Sequence, residues 1–170
     1  LKNLKDTVDK YNSLAQDFED VETMIEMGYE ENDESLIPEI QEMLDTFIEE
    51  FEALKISTLL SGEYDSSNAI LTFHPGAGGT EAQDWAEMLY RMYNRWAERH
   101  NFKVHLLDYL DGDEAGLKSA SIMVEGVNAY GFLKSDHGVH RLVRVSPFDS
   151  SGRRHTSFSS VEVMPEFNDD

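Results

Sequence analysis

The sequence has no cysteine in its 170 residues. That excludes disulfides and thiolate metal sites, and nothing argues for an oxidising compartment. It also has no apolar run near the ~20 residues that span a bilayer. The acidic, helix-patterned N-terminus is unlike a signal peptide, so no membrane partner is expected. Basic residues are scarce, with 14 Lys+Arg against 34 Asp+Glu and a net charge of -20. Long-range repulsion makes such a chain a poor sequence-independent binder of nucleic acid. The shortage is uneven. Residues 1–67 hold 4 basic and 19 acidic side chains, residues 68–170 hold 10 and 15. Between Lys134 and Thr156 the balance reverses, 5 basic against 2 acidic. RNA contact is therefore expected only locally and on a larger, pre-shaped partner, with the acidic part facing protein. A hydrophobic content of 40% is enough for a packed core at this length.

Apolar positions recur at Leu1, Leu4, Val8, Tyr11, Ala15, Phe18, Val21 and Ile25, in steps of three and four. They predict a helix with a coiled-coil-like seam that Gly28 ends. A second helix is expected from an N-cap at Asp33 or Ser35, with Pro38 in its first turn and a seam of Ile40, Leu44, Phe47, Phe51, Leu54 and Thr58. The two make an antiparallel acidic hairpin over residues 1–60, either a structural arm with a solvated charged face or a surface that docks a partner. Residues 61–67 read as a linker. Residues 68–170 read as an α+β domain, a mixed or antiparallel sheet packed with helices on one face. Its strands are expected at Ala69–His74, Phe102–Leu110 and Leu117–Glu125, with a short, partly apolar stretch at Tyr130–Lys134. An amphipathic helix is expected at Glu81–His100, with Trp85, Met88, Leu89, Met92, Tyr93 and Trp96 inward and Thr80 and Gln83 as a capping box.

The glycine loop Gly76-Ala77-Gly78-Gly79-Thr80-Glu81 sits between strand and helix, where amides bind phosphate. No Lys-Ser/Thr follows it, and Glu81 stands where a dinucleotide fingerprint needs glycine, so no nucleotide is expected. Asp108, Asp111, Asp113 and Glu114 lack the spacing of a calcium loop, and His137 and His140 read as structural, so no metal or other cofactor is expected. Ser146, His155 and Asp149 have no nucleophile elbow or oxyanion site around them, so no catalysis is expected in this chain. The most distinctive stretch is Val139–Ser160, which carries Arg141, Arg144, Arg153 and Arg154 against one acid, Asp149. Pro147 and Gly152 mark a turn-rich tip between two β-prone runs, so this reads as a hairpin with a polar, arginine-flanked loop. Arginines suit phosphate, and hydroxyls beside an imidazole suit unpaired bases.

Ser146-Pro147-Phe148 followed by Gly152-Arg153-Arg154-His155-Thr156-Ser157 resembles the codon-reading loop of the bacterial class I peptide chain release factors. The likeness extends to Ser61-Gly62-Glu63-Tyr64-Asp65 and to Gly76 through Trp85, covering residues 60–167 closely and the acidic helices loosely. It implies a cytoplasmic translation termination factor that works as a monomer on the ribosome, at the small-subunit decoding centre with its rRNA, and reads an mRNA stop codon. Carried onto this sequence, Gly78 and Glu81 at the helix tip read the first base, uridine. The hydroxyl of Ser146 donates or accepts, which serves adenine N6 or guanine O6 at the second base. Pro147 and Phe148 complete that loop. His155 stacks on and separates bases, and Thr156 meets the third base. Val143 stands where a sister factor that also accepts guanine has glutamine, so third-position adenine is preferred, giving UAA and UGA. Arg144, Arg153 and Arg154 are expected on RNA backbone. The family hydrolyses peptidyl-tRNA through a domain with a Gly-Gly-Gln motif, and no such triplet occurs here. The expectation is thus a recognition half that begins inside the N-terminal domain and cannot release peptide alone. The rival readings are a ribosome-rescue relative and a protein-interaction module built on the acidic hairpin.

Overall fold

The computed structural model describes residues 2–167, so Leu1 of the first seam and the last three residues lie outside the described part. The chain forms two compact units, residues 1–59 and 60–170. Helices α1 (Lys2–Glu31) and α2 (Ile37–Leu59) make the first, joined through a 3-10 turn at Glu34–Leu36. Gly28 does not end α1 as expected. The helix runs three residues further and stops at Asn32, whose left-handed φ of 50° breaks the helical repeat. Asp33 does cap the next turn, accepting the Ser35 amide at 2.9 Å, and Pro38 sits in the first turn of α2.

The α1 seam is rotated from the expected one. Leu14 and Val21 are its buried apolar residues, while Leu4, Val8, Tyr11 and Phe18 are exposed. A pair of helices offers each only one neighbour, so the wide apolar stripe of α1 is covered along a single line. Phe18 still reaches Phe47 of α2 at a ring separation of 5.8 Å, and Phe47 stacks on Phe51.

The second unit is a five-stranded sheet ordered β2-β3-β1-β5-β4. Its strands are β1 (Ala69–Pro75), β2 (Lys103–Asp111), β3 (Leu117–Glu125), β4 (Gly138–Val145) and β5 (Arg154–Pro165). Every pairing is antiparallel. The fold class is the α+β arrangement expected, with α3 (Gly79–Arg99) crossing one face. Period-two alternation sends Leu71 and Phe73, Ala120, Ile122 and Val124, and Val161 and Val163 to that face. Helix α3 answers with Ala82, Ala86, Leu89, Tyr93 and Ala97. Three alanines in that line let the helix backbone come close to the sheet, and Leu89 and Tyr93 fill the remaining volume. Met92, expected inward, is 48% exposed, because this alanine line and not the methionines marks the buried face.

The expected capping box is absent. The helix begins earlier, at Gly79 with Gly78 as N-cap, and the Thr80 hydroxyl donates to Glu114 Oε2 at 3.2 Å instead. The stretch Tyr130–Lys134 is helical, its first four residues in the short α4 (Ala129–Leu133) and Lys134 at the start of a 3-10 turn (Lys134–Asp136). Residues 61–67 are a sequence of turns held to this unit. Asp65 is buried, accepts Gly62 N–H at 2.8 Å and Lys134 Nζ at 2.7 Å, and its carbonyl accepts the Gly131 amide at 3.0 Å. The Lys134 ammonium, followed by the Gly62 amide, holds the Asp65 carboxyl below the usual carboxylate range. No helix among the described residues is long and apolar enough to cross a membrane.

Candidate nucleic-acid interface

Strands β4 and β5 form the arginine-flanked hairpin, and residues 146–153 are its tip. The tip is internally tied. Ser146 N–H donates to Arg153 O at 3.3 Å, Asp149 N–H to Ser146 O at 3.3 Å, and Gly152 N–H to Asp149 O at 3.0 Å. Gly152 has a φ of 63°, which favours glycine over any side chain. The Asp149 carboxylate gathers the rest, accepting Ser151 N–H at 2.8 Å, Arg153 Nε at 3.0 Å and His155 Nε2 at 2.6 Å. The His155 bond, then the Ser151 amide and Arg153, hold the Asp149 carboxyl far below its ordinary range. Since an ionised carboxylate only accepts, His155 carries a proton on Nε2.

The helix tip meets this loop through Glu81. Ser146 Oγ donates to Glu81 Oε2 at 2.6 Å while accepting the Phe148 amide at 3.1 Å. Arg144 Nε donates to Glu81 Oε1 at 2.7 Å, and its Nη2 to Asp84 Oδ2 at 2.6 Å. A third nitrogen, Nη1, lies 3.6 Å from Met88 Sδ. Glu81, Asp84 and Met88 are spaced three and four apart, so one helix face presents them all to one strand side chain. Arg144, and less strongly Ser146, hold the Glu81 carboxyl below the usual range against the opposing effect of burial. Glu81 in turn raises the already high pKa of Arg144.

Strand register sorts the remaining residues. Arg144 pairs with His155, and Val143 with Thr156. Alternation puts Arg144 and His155 on the α3 side, and Val143 and Thr156 together on the exposed outer face. Pro147, Phe148, Arg153, Arg154 and Thr156 are exposed, and Ser146 and Glu81 are buried. Gly78 is exposed at the start of α3, on the turn of backbone that carries Glu81. Close approach fixes that turn against β5, since the Gly76 amide donates to Phe158 O at 2.8 Å and a Cβ on Gly76 would lie 2.6 Å from that oxygen.

The structure therefore brings Glu81, Ser146, Arg144 and His155 to one side of the hairpin and leaves Val143 and Thr156 on the other. Arg144, expected on RNA backbone, is engaged by two carboxylates inside the protein, because β4 alternation turns it toward α3. Sequence reading missed Asp84 and the organising role of Asp149. Both left signals: Asp84 lies one turn after Glu81 on the same face, and Asp149 opens the turn-prone run Asp149–Gly152, where an Asp carboxylate accepts the amide two residues on.

The fold and this cluster define an α+β domain with a hairpin loop tied to a helix tip. A family model described as the PCRF domain matches residues 1–161, and the chain belongs to that family. Among its relatives is peptide chain release factor 2 of Exiguobacterium sp. (strain ATCC BAA-1283 / AT1b), 55% identical over 167 residues, covering 98% of this chain and 46% of that protein. The peptide chain release factor 2 of Petrotoga mobilis is 51% identical over 168 residues, with coverages of 99% and 45%. In three dimensions the chain matches RF2 of Thermus thermophilus with a TM-score of 0.67 at 50% identity, over 98% of this chain and 46% of that one. The chain spans a little under half the length of these relatives.

Proposed function

We propose that this chain binds the ribosome at the small-subunit decoding site and reads the stop codons UAA and UGA, as the codon-recognition part of a translation termination factor. The observation that carries this is the 2.6 Å bond between Ser146 Oγ and Glu81 Oε2. It joins loop tip and helix tip, so that first-base and second-base readers form one unit. The hydroxyl that serves a purine at the second base is held with one donor and one acceptor bond already made. Engaging a base therefore exchanges one of these partners for an edge atom of the purine. His155 shares the inner face with this cluster and is the base-stacking group, while the outer pair Val143 and Thr156 meets the third base. Val143 offers no polar atom, so adenine is accepted there over guanine. Arg153 and Arg154 stand exposed beside the loop for RNA phosphates. Peptidyl-tRNA hydrolysis belongs to a Gly-Gly-Gln domain, and on stop-programmed ribosomes this 170-residue chain is expected to bind without releasing peptide.

The test is Ser146→Ala in a factor carrying this domain together with a Gly-Gly-Gln domain. Removing the hydroxyl leaves a purine edge, and the Oε2 atom of Glu81, without this partner, at about 1–3 kcal/mol or roughly 5- to 150-fold. Release per unit concentration should fall on both UAA and UGA by comparable factors, with affinity on a sense codon unchanged. Loss on one codon alone removes the two-way role, and loss on neither removes Ser146 from the codon.

A further inference from the structure

We infer that the exposed face of α3 bearing Arg91, Arg95 and Arg99 is a docking strip for ribosomal RNA backbone, separate from the codon site at the start of the same helix. This rests on the ribosomal reading given above. The three arginines, with Met88 and Met92, line one shallow groove. All three are exposed, and among the described residues none has a carboxylate within ion-pair distance. In a chain with 34 acidic residues against 14 basic ones, three adjacent unpaired guanidinium groups are a concentrated exception. Of the other seven cations of the second unit, four are engaged by carboxylates: Lys134 by Asp65, Lys118 by Asp113, Arg144 by Glu81 and Asp84, Arg153 by Asp149. Lys103, Arg141 and Arg154 have no such partner among the described residues, but no groove gathers them as one gathers the three on α3.

The spacing fits a polyanion. Four residues advance a helix by ~6 Å, so the strip repeats a forked donor every turn along ~12 Å. Guanidinium groups bind phosphate oxygens bidentately and are weakly hydrated, which suits an RNA backbone. Met88 and Met92 supply an apolar floor beneath them. The strip adjoins the site only through Met88, which touches Arg144, the residue that holds Glu81. It also lies beyond the codon. Arg91 is ~15 Å and Arg99 ~27 Å along the axis from Glu81. The phosphates it meets therefore belong to structured RNA around the codon and not to the three nucleotides being read.

The experiment compares the intact chain with the triple variant R91A/R95A/R99A and with R91K/R95K/R99K, binding to small ribosomal subunits and to deproteinised small-subunit rRNA over a salt series. Alanine is the best helix former, so the first variant should keep the wild-type circular dichroism spectrum and melting curve. Each phosphate that goes without its arginine flattens the plot of log affinity against log salt by about 0.7, so three flatten it by about 2. Between about 50 and 200 mM salt, wild type should lose roughly 10- to 20-fold more affinity than the alanine variant. The lysine variant, which keeps the charges, should retain the steep slope. The change should appear on both targets and with or without a stop-codon mRNA. An unchanged slope on both overturns the proposal. Weaker binding to subunits with no change on bare rRNA overturns it in favour of a ribosomal protein as the ligand, and a flattened slope only when mRNA is present overturns it in favour of the message. Failure of wild type to bind rRNA overturns it too. The codon reading stands or falls separately, on the codon-dependent effect of Ser146→Ala.

Discussion

At the scale of single residues, Arg144 decides how the β4–β5 hairpin is joined to the start of α3. It neutralises Glu81 and Asp84 at once, and its side chain is 24% exposed against 10% and 19% for the two carboxylates. Arg144→Met would leave both acids with no cation while keeping the packing on Met88. We expect a stability loss of about 1–3 kcal/mol, read from urea unfolding. The pH dependence follows from the lowered Glu81 pKa. The pair's contribution is fully present above the ordinary glutamate pKa of ~4.3 and is lost as pH falls through the lower folded value. The gap between wild type and Arg144→Met should therefore hold from neutral pH to about pH 5 and close in stronger acid. A gap that stays constant down to about pH 3 would mean that Glu81 ionisation is not what the arginine stabilises. Val143 is the complementary case on the outer face. Val143→Gln adds an amide that donates and accepts beside Thr156, and in a factor with the hydrolytic domain it should raise release on UAG and change UAA little. No gain on UAG would remove Val143 from the third base.

At the scale of elements, the hairpin tip and the start of α3 are each fixed by close approaches that their own sequences do not announce. A Cβ at Gly76 would lie 2.6 Å from Phe158 O, a backbone atom of β5 that cannot move away alone. Gly76→Ala should cost about 1–3 kcal/mol as strand and turn separate, measured as a lower urea midpoint. The tip depends on Asp149, which ties Ser151, Arg153 and His155 together. Asp149→Asn keeps the shape but removes the charge. Amide exchange in residues 146–153 should speed up while the strand amides of β1 and β3 keep their protection. Equal exchange in the tip would show that the backbone turn bonds suffice. Much of this level was readable beforehand. The strand Leu117–Glu125 follows from its alternation, and Asp33 and Pro38 mark the start of the second helix. The helix end at Asn32 and the cap at Gly78 were not readable, because each run holds more than one residue able to break a helix; α1 closes past Gly28, on the bond from Asp33 N–H to Gly28 O at 3.1 Å.

At the scale of the whole molecule, stability is unevenly shared. The second unit holds the buried cluster from Ala69 to Val163, whereas the helical unit buries only Leu14 and Val21 among its described apolar residues. A two-helix hairpin with so little core is marginal in water. Residues 60–170 expressed alone should keep a cooperative thermal transition, and residues 1–59 alone should lose most of their helical circular dichroism. A cooperative, fully helical 1–59 would show that one seam of helix pairing is enough. The α+β class, the acidic helical pair, the strand periods and the loop motif that marks the family could all be read along the chain, because these are local: periodicity, turn residues and contiguous motifs need no partner. Which residues share a face was settled by long-range packing. It turned Arg144 inward to Glu81 and Asp84, set Val143 opposite Thr156 on the outer surface, and chose the alanine line of α3 for the core. Each of these depends on strand register and helix rotation, which are fixed by burial against segments distant in the chain, and no local pattern encodes that choice.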